Sequence, residues 1–377
     1  MIKRNLETLI KEKFFKSKAI IITGPRQVGK TTLVKSVVGS MGMPYLWFNG
    51  DEPSTPSLFG NISSNDLKHL FGKNKIVVID EAQKIKNIGV VLKIIVDSLP
   101  DVQIIATGSS SFELSNEINE PLTGRKYEYF LFPLSYEELV TEHGKLKEKE
   151  ALPQRLIYGS YPEIVTKPEE ARENLNWLSD SYLYKDLLSL DTIKKPSLLV
   201  KLLQALSWQV GSEVSYNELS KTVGYDAKTI EKYIDLLEKV FVVFRLQPLS
   251  RNLRNELKKT RKIYFYDNGI RNAVIGNFNR VDLRQDVGAL WENYLISERV
   301  KYVAYHNIYG NRFFWRTAQK QEIDYIEEYD GIFHAYEFKY NPGKKAQLPK
   351  TFSKAYPSSV FETINSDNYD RFLTDNR

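Results

Sequence analysis

The 377-residue sequence predicts an α/β fold with a parallel sheet, then a helical winged-helix-like domain and a C-terminal α+β domain. Short apolar runs alternate with polar or helical stretches in the first half, as buried parallel strands do. From about Leu175 apolar residues recur at helical spacing, and strand-like segments return after about Ser250. The apolar runs are 19–24, 44–50, 75–81, 102–108 and 127–134. The predicted domains are 1–175, 176–250 and 251–377.

Composition narrows the classes of function. The chain is 42 % hydrophobic and 27 % charged, which is ordinary for a folded protein. It has no cysteine, which excludes disulfides, thiol nucleophiles and cysteine-bound metals, and a cytoplasmic setting is expected. No apolar stretch approaches the roughly 20 residues of a membrane span, so no membrane partner is expected. The formal net charge of +6 permits a nucleic-acid partner.

The segment GPRQVGKT, residues 24–31, matches the phosphate-loop pattern G-x-x-x-x-G-K-[ST] between an apolar strand and a helical stretch. Its glycines let the loop wrap around phosphate, and backbone N–H groups at the helix N-terminus stabilise the negative charge. Lys30 is expected to reach the β- and γ-phosphates, and Thr31 to bind Mg²⁺. The predicted nucleotide-binding residues are Gly24, Pro25, Arg26, Gln27, Val28, Gly29, Lys30, Thr31 and Thr32.

The segment IVVIDEAQ, residues 76–83, completes the predicted site. Four apolar residues place Asp80 at the carboxyl end of a buried strand, where it would hold Mg²⁺ together with Thr31. Glu81 follows, and we predict that it orients or deprotonates the attacking water, which favours hydrolysis. The alternative for Glu81 is a surface carboxylate. No N-K-x-D guanine-reading motif occurs, so ATP is the expected nucleotide.

Two further polar residues are predicted to assist catalysis. Ser109 ends the strand IIATG and could contact the γ-phosphate or the water, as could Ser110. The alternative for this serine is a helix cap on the following turn. Arg125 is a candidate γ-phosphate-sensing arginine, and Arg26 is another; a structural salt bridge is the alternative for either. The sequence leaves open whether Arg125 acts within its own subunit or across an interface.

The middle of the chain has the element order of a winged helix: helix, helix, turn, helix, strand. Ser215 and Glu218 form a capping-box pattern, Gly224 makes a turn, and Asp226 can cap the next helix. Lys228, Thr229 and Lys232 on that helix could face DNA, although neighbouring acidic residues offset their charge. Residues 251–262 hold six basic residues and one acidic residue, which favours phosphate contact. A protein–protein module is the alternative.

Nine segments, which span nearly the whole chain, resemble a family of predicted AAA-type ATPases of bacteria and archaea with a restriction-nuclease-like C-terminal domain. The resemblance implies a P-loop ATPase domain of the AAA type followed by that nuclease-like domain. One departure is Ser160, where the family usually has a second glycine. The segments are GPRQVGKTTL, VVIDEAQ, ATGSSS, LTGRKYEYFLFPLSYEEL, YGSYPEIV, YLYKDLL, KIYFYDNGIRNAVIG, GALWENYLISE and EIDYI…AYEFKY.

The segment QEIDYIEEYDGIFHAYEFKY, residues 321–340, predicts a β-hairpin with Asp330 and Gly331 as its two-residue turn. This register sets Asp324 opposite Glu337 and Glu322 opposite Lys339 on one face, and a cation between the two like charges would stabilise them. By resemblance to restriction-type nucleases, the possible second metal site consists of Glu292, Asp324, Glu337 and Lys339. A solvent-exposed hairpin face is the alternative.

Together these observations predict a Mg²⁺-dependent protein that binds and hydrolyses ATP as a nucleotide-driven switch acting on DNA. The first alternative is an ATP-regulated, metal-dependent nuclease. The second is a non-enzymatic, nucleotide-gated scaffold for a protein partner or for self-association.

Overall fold

A computed structural model describes residues 2–60, 62–109, 118, 120–180, 195–249 and 261–374. Contacts divide the chain into two compact units. The first consists of Met1–Leu134 with Lys239–Phe241, and the second of Ser135–Glu238 with Val242–Arg377. In the second unit, Gln247 on one side of the predicted 250/251 boundary pairs with Phe313 on the other. The three-domain division stays a prediction.

The first unit contains a five-stranded parallel sheet in the order β2-β3-β4-β1-β5. All five apolar runs form strands, which confirms the predicted parallel α/β fold. The three central strands are fully buried, which explains why their sequences are nearly continuous in apolar residues. The strands are β1 (Ala19–Thr23), β2 (Tyr45–Asn49), β3 (Ile76–Asp80), β4 (Gln103–Gly108) and β5 (Lys126–Phe130).

Helices alternate with these strands, as the pattern predicts. The helix after β1 starts directly at Lys30, so the phosphate loop fills the turn between strand and helix. A short 3-10 helix, Ala82–Lys84, follows β3. The α-helices described in this unit are α1 (Leu6–Lys11), α2 (Lys30–Ser40), α3 (Ser54–Phe59), α4 (Ser64–Phe71) and α5 (Ile88–Ser98).

The second unit contains a seven-stranded mixed sheet in the order β12-β11-β10-β9-β7-β8-β6. The strands are β6 (Glu213–Val214), β7 (Val243–Pro248), β8 (Arg261–Phe265), β9 (Asn311–Arg316), β10 (Glu322–Tyr329), β11 (Ile332–Phe338) and β12 (Val360–Ile364). The α-helices described here are α6 (Tyr136–His143), α7 (Lys145–Tyr158), α8 (Pro162–Thr166), α9 (Ala171–Leu178), α10 (Pro196–Trp208), α11 (Tyr216–Val223), α12 (Ala227–Lys239), α13 (Asn268–Val274), α14 (Val287–Tyr305), α15 (Lys350–Ala355) and α16 (Tyr369–Thr374).

The middle of the chain has the local order α10, β6, α11, α12, β7, β8. Ser215 caps α11 by accepting a hydrogen bond from the Glu218 N–H at 3.1 Å, and Gly224 ends that helix in a left-handed conformation. Strand β8 pairs antiparallel with both β6 and β7, giving three short strands beside three helices. The segment between β7 and β8 carries most of the predicted basic stretch, and residues 250–260 of it lie outside the described residues.

The C-terminal hairpin has the predicted register. Tyr329 pairs with Ile332 and Tyr325 with Tyr336, and both Asp330 and Gly331 have positive φ, as a type I′ turn requires. The tyrosines at 325 and 336 are buried, as one apolar face of the hairpin should be.

Helix α14 connects to the hairpin through a buried ion pair. The Arg299 guanidinium donates two hydrogen bonds to the Glu327 carboxylate, at 2.8 and 2.9 Å. It donates a third to the Phe372 carbonyl at 2.7 Å. Both charged side chains are at most 2 % exposed. The attraction between the two opposite charges therefore offsets the desolvation penalty of each.

No helix among the described residues is long and apolar enough to cross a membrane.

Candidate functional site

The phosphate loop is held close to the backbone of the segment after β5. A Cβ atom on Gly24 would lie 2.3 Å from the Leu131 carbonyl oxygen, so only glycine fits there. Gly29, at the start of α2, and Gln27 both have positive φ, which curls the loop around the helix N-terminus. Such left-handed residues before a helix N-terminus are typical of loops whose backbone N–H groups bind anions.

Lys30 lies buried beneath the loop, 6 % exposed. Its ammonium donates to the carbonyl oxygens of Gly24 at 3.0 Å and Pro25 at 2.9 Å. Burial lowers the pKa of this ammonium to about 8, while the carboxylates of Glu81 and Asp80 oppose the shift. A phosphate group would supply the compensating negative charge that the lysine lacks here.

Asp80, at the carboxyl end of β3, accepts hydrogen bonds from two hydroxyls. The Thr31 hydroxyl donates to Oδ2 at 2.8 Å, and the Thr107 hydroxyl donates to Oδ1. Hydroxyl and carboxylate oxygens are ligands that Mg²⁺ prefers, so this pair fits a nucleotide-bound magnesium ion. The sequence analysis identified Thr31 and Asp80 but not Thr107. The only indication of Thr107 in the sequence is that a threonine stands near the carboxyl end of the neighbouring strand.

Glu81 follows in a left-handed conformation, with φ of 50°. Its N–H donates to the Thr107 hydroxyl at 3.2 Å, which fixes the backbone of this strained residue. The Gln83 amide donates to the Glu81 carboxylate at 2.6 Å and to the Ser109 hydroxyl at 2.9 Å. Gln83 therefore joins two predicted catalytic residues, and sequence reasoning did not identify it.

The Gln83 carbonyl oxygen is buried and has no hydrogen-bond partner among the described residues. Ser109 itself is 8 % exposed and lies directly after β4. Ser110, its sequence-predicted alternative, lies outside the described residues. The carboxyl ends of β3 and β4 thus bring Asp80, Glu81, Gln83 and Ser109 together at the edge where the phosphate loop begins.

Arg125 does not join this cluster. Its carbonyl accepts from the Ala19 N–H at 2.9 Å, at the amino end of β1, whereas the phosphate loop follows the carboxyl end. Five strand residues at about 3.3 Å each separate the two edges by roughly 15 Å. The Arg125 guanidinium instead pairs with Asp97 at 2.6 Å and is 41 % exposed. A γ-phosphate-sensing role within the same subunit is therefore wrong, because the sheet separates the arginine from the loop.

The remaining loop residues differ in exposure. Arg26, Gln27 and Thr32 are exposed, while Pro25 and Val28 are buried. Arg4, which sequence reasoning missed, donates to the Val28 carbonyl at 2.7 Å and to the Phe132 carbonyl at 2.6 Å. This arginine fastens the loop to the segment after β5.

The predicted second metal site contains a lysine that the sequence reasoning assigned elsewhere. The Lys262 ammonium on β8 lies 2.9 Å from Glu292 Oε1, 2.8 Å from Glu322 Oε1 and 3.9 Å from Asp324 Oδ1. Its side chain is 2 % exposed, so Lys262 is not part of a DNA-contacting surface as the basic stretch suggested. Lys339 pairs with Glu337 at 2.8 Å rather than with Glu322.

The carboxylates of this acidic cluster (Glu292, Glu322, Asp324 and Glu337) are crowded. Burial raises the pKa of Glu292 to about 7, against the opposing effect of the Lys262 charge. Burial and the neighbouring Asp324 carboxylate also raise the pKa of Glu337 to about 7. The Tyr264 hydroxyl donates to Glu292 at 2.6 Å, and the Phe338 N–H donates to Asp324 at 2.9 Å. Across the described ranges, no group of three or more acidic or histidine side chains is arranged to hold a metal ion.

Three family profiles match parts of the chain. A profile described as an AAA domain matches residues 16–140. Two profiles described as domains of unknown function, DUF8612 and DUF4143, match residues 149–281 and 287–369. These matches support the P-loop part of the sequence prediction and leave the nuclease-like part unconfirmed.

Similar proteins occur in bacteria and in archaea. An uncharacterized protein of Mycobacterium tuberculosis, Rv2008c, is 25 % identical over 342 residues, which are 89 % of this chain and 74 % of that protein. An uncharacterized protein of Haemophilus influenzae is 26 % identical, covering 68 % of this chain and 69 % of that protein. The Walker-type ATPase PABY2304 of Pyrococcus abyssi matches with a TM-score of 0.50 at 17 % identity, covering 73 % of this chain and 96 % of that one.

Residues 16–140, which include the phosphate loop and the parallel sheet, are thus similar to an AAA domain, and the first unit has a P-loop nucleotide-binding fold. The structural likeness, at such low identity, concerns the fold alone.

Proposed function

We propose that the protein binds ATP with Mg²⁺ at the carboxyl edge of the first sheet and hydrolyses it as a nucleotide-driven switch. The observation that carries this proposal is the Thr31–Asp80 hydrogen bond of 2.8 Å, with Glu81 as the next residue. Lys30 and the loop N–H groups bind the phosphates. Thr31 and Asp80 would hold the magnesium ion, which neutralises charge on the transferred phosphoryl group. Glu81 accepts a proton from the attacking water.

The test is ATP hydrolysis by the purified protein in Mg²⁺, with and without duplex DNA. We expect the wild type to hydrolyse ATP and Lys30→Ala to lose this activity, because the Lys30 ammonium supplies the positive charge that binds the β- and γ-phosphates. No turnover in the wild type, or equal turnover in the variant, would contradict an ATPase. Turnover that DNA leaves unchanged would favour the scaffold alternative and direct the search to protein partners or self-association.

Gln83 is proposed as a positioning residue for Glu81. Gln83→Met keeps side-chain length but removes the two hydrogen bonds to Glu81 and Ser109. Because catalysis depends on placement within about an ångström, we expect kcat to fall about tenfold or more while KM for ATP stays nearly constant. Steady-state kinetics measure both. Gln154→Met, at an exposed position, is the matched control. A rise in KM at unchanged kcat would show that Gln83 serves nucleotide binding instead.

Contact with DNA is proposed for the winged-helix-like part of the second unit. Lys228 and Lys232 on α12 are exposed. Of the acidic residues that offset their charge in the sequence, Asp235 accepts from the Arg245 guanidinium at 2.6 Å and Glu238 from the Arg245 N–H at 2.8 Å. The Arg245 guanidinium therefore offsets part of the negative charge of the helix. Binding would weaken steeply with salt.

We propose that Arg125 acts towards the nucleotide of a neighbouring copy of the chain, because its own phosphate loop lies at the opposite edge of the sheet. The cytoplasm is the proposed place of action, as the cysteine-free sequence led us to expect.

A further inference from the structure

The acidic cluster of the second unit already contains a buried cation. An ammonium group donates three hydrogen bonds and accepts none, so it suits a space enclosed by carboxylate oxygens. Lys262 lies within 3 Å of Glu292 and Glu322. Phe314 covers it from one side, with the ammonium 5.6 Å from the ring centroid. A buried lysine with these partners needs no further counter-charge.

A divalent ion does not fit the same oxygens. Mg²⁺ demands a nearly octahedral shell of oxygens at roughly 2.0–2.1 Å and keeps several waters. Here one oxygen of Glu292 accepts from both Lys262 and Tyr264. One oxygen of Asp324 accepts a backbone N–H, and Lys339 donates to Glu337. The Lys262 ammonium therefore lies against the oxygens of Glu292 and Glu322 that a divalent ion would need in this cluster.

We propose that Lys262 takes the place of the divalent cation in this nuclease-like cluster, so that the second unit binds no catalytic metal there and does not cut nucleic acid. The lysine lies on β8, and its partners lie on α14 and β10. It therefore also fastens the three short strands of the winged-helix-like part to the C-terminal hairpin. The two lysines, 262 and 339, supply two positive charges beside the four carboxylates.

Binding of Mn²⁺ to the nucleotide-free full chain tests this inference, because Mn²⁺ has the ligand preference of Mg²⁺ and its EPR signal counts free ions. Wild type and Asp324→Asn should bind the same number of ions. Lys262→Met should gain about one ion per chain, since it leaves carboxylates without their cation. The double variant Lys262→Met/Asp324→Asn should lose that ion again. Lys201→Met, at an exposed position of the same unit, should gain none.

A wild-type Mn²⁺ site that disappears in Asp324→Asn would overturn the proposal. A folded Lys262→Met protein that gains no ion would overturn it too. If Lys262→Met does not fold, the comparison of wild type with Asp324→Asn decides alone. None of these measurements depends on ATP turnover. The inference can therefore fail while the proposed ATPase function is correct, and the proposed ATPase function can fail while the inference is correct.

Discussion

Glu81→Gln is expected to reduce ATP turnover at least about 100-fold while nucleotide binding changes little. General base catalysis contributes about 10²–10⁴-fold, and an amide cannot accept the proton of the attacking water. The substitution preserves size and leaves an oxygen to accept the Gln83 hydrogen bond of 2.6 Å, so the backbone around this strained residue should persist. Single-turnover hydrolysis and fluorescent-nucleotide binding measure the two quantities separately.

The matched control for this prediction is Asp101→Asn. It makes the same carboxylate-to-amide change at a side chain that is 84 % exposed and pairs loosely with Lys75, just before β4 at the amino edge of the sheet. We expect unchanged turnover there. If Glu81→Gln also kept normal turnover, Glu81 would be the surface carboxylate that the sequence left as its alternative, and another group would activate the water.

The local features of this protein follow from its sequence because they depend on neighbours in the chain. A buried strand, two glycines and a helix start lie within residues 19–31, and each has a short-range cause. The hairpin register follows from the turn at Asp330 and Gly331 alone. The five strands of the first sheet are likewise marked by their own apolar runs.

Features that depend on which elements meet could not be predicted in the same way. Lys262 stands in a basic stretch, so its sequence neighbours suggest a phosphate-contacting surface. Only the pairing of β8 with β7, and of β7 with β9, brings it under the carboxylates of α14 and β10. Arg125 was misplaced for a related reason, since the parallel register of β5 with β1 decides at which edge of the sheet it lies. Apart from its position two residues after Glu81, nothing in the sequence around Gln83 indicates a role in the site.

The largest expected effect on stability comes from Arg299→Met. The variant leaves the Glu327 carboxylate, which is fully buried, without its cation. Breaking one partner of such a pair costs about 3–5 kcal/mol, whereas replacing both by apolar residues is often nearly neutral. We therefore expect the free energy of unfolding, measured by urea titration, to fall by that amount in Arg299→Met. In the double variant Arg299→Met/Glu327→Met, the free energy of unfolding should return most of the way to the wild-type value.

The loss of unfolding free energy in Arg299→Met, called the deficit below, should depend on pH, and this dependence gives an independent check. In the wild type the Arg299 guanidinium lowers the pKa of Glu327 against the effect of burial, so its stabilising contribution is present above the unfolded pKa and is lost as pH falls. In Arg299→Met, burial alone would raise that pKa, so protonation stabilises the folded variant. The deficit should thus be smaller at pH 5 than at pH 7.5.

Arg280→Met is the control. It removes an 81 % exposed arginine and should lower the free energy of unfolding by less than about 1 kcal/mol. A deficit that persists in Arg299→Met/Glu327→Met would mean that lost side-chain packing, rather than an uncompensated buried charge, explains the effect.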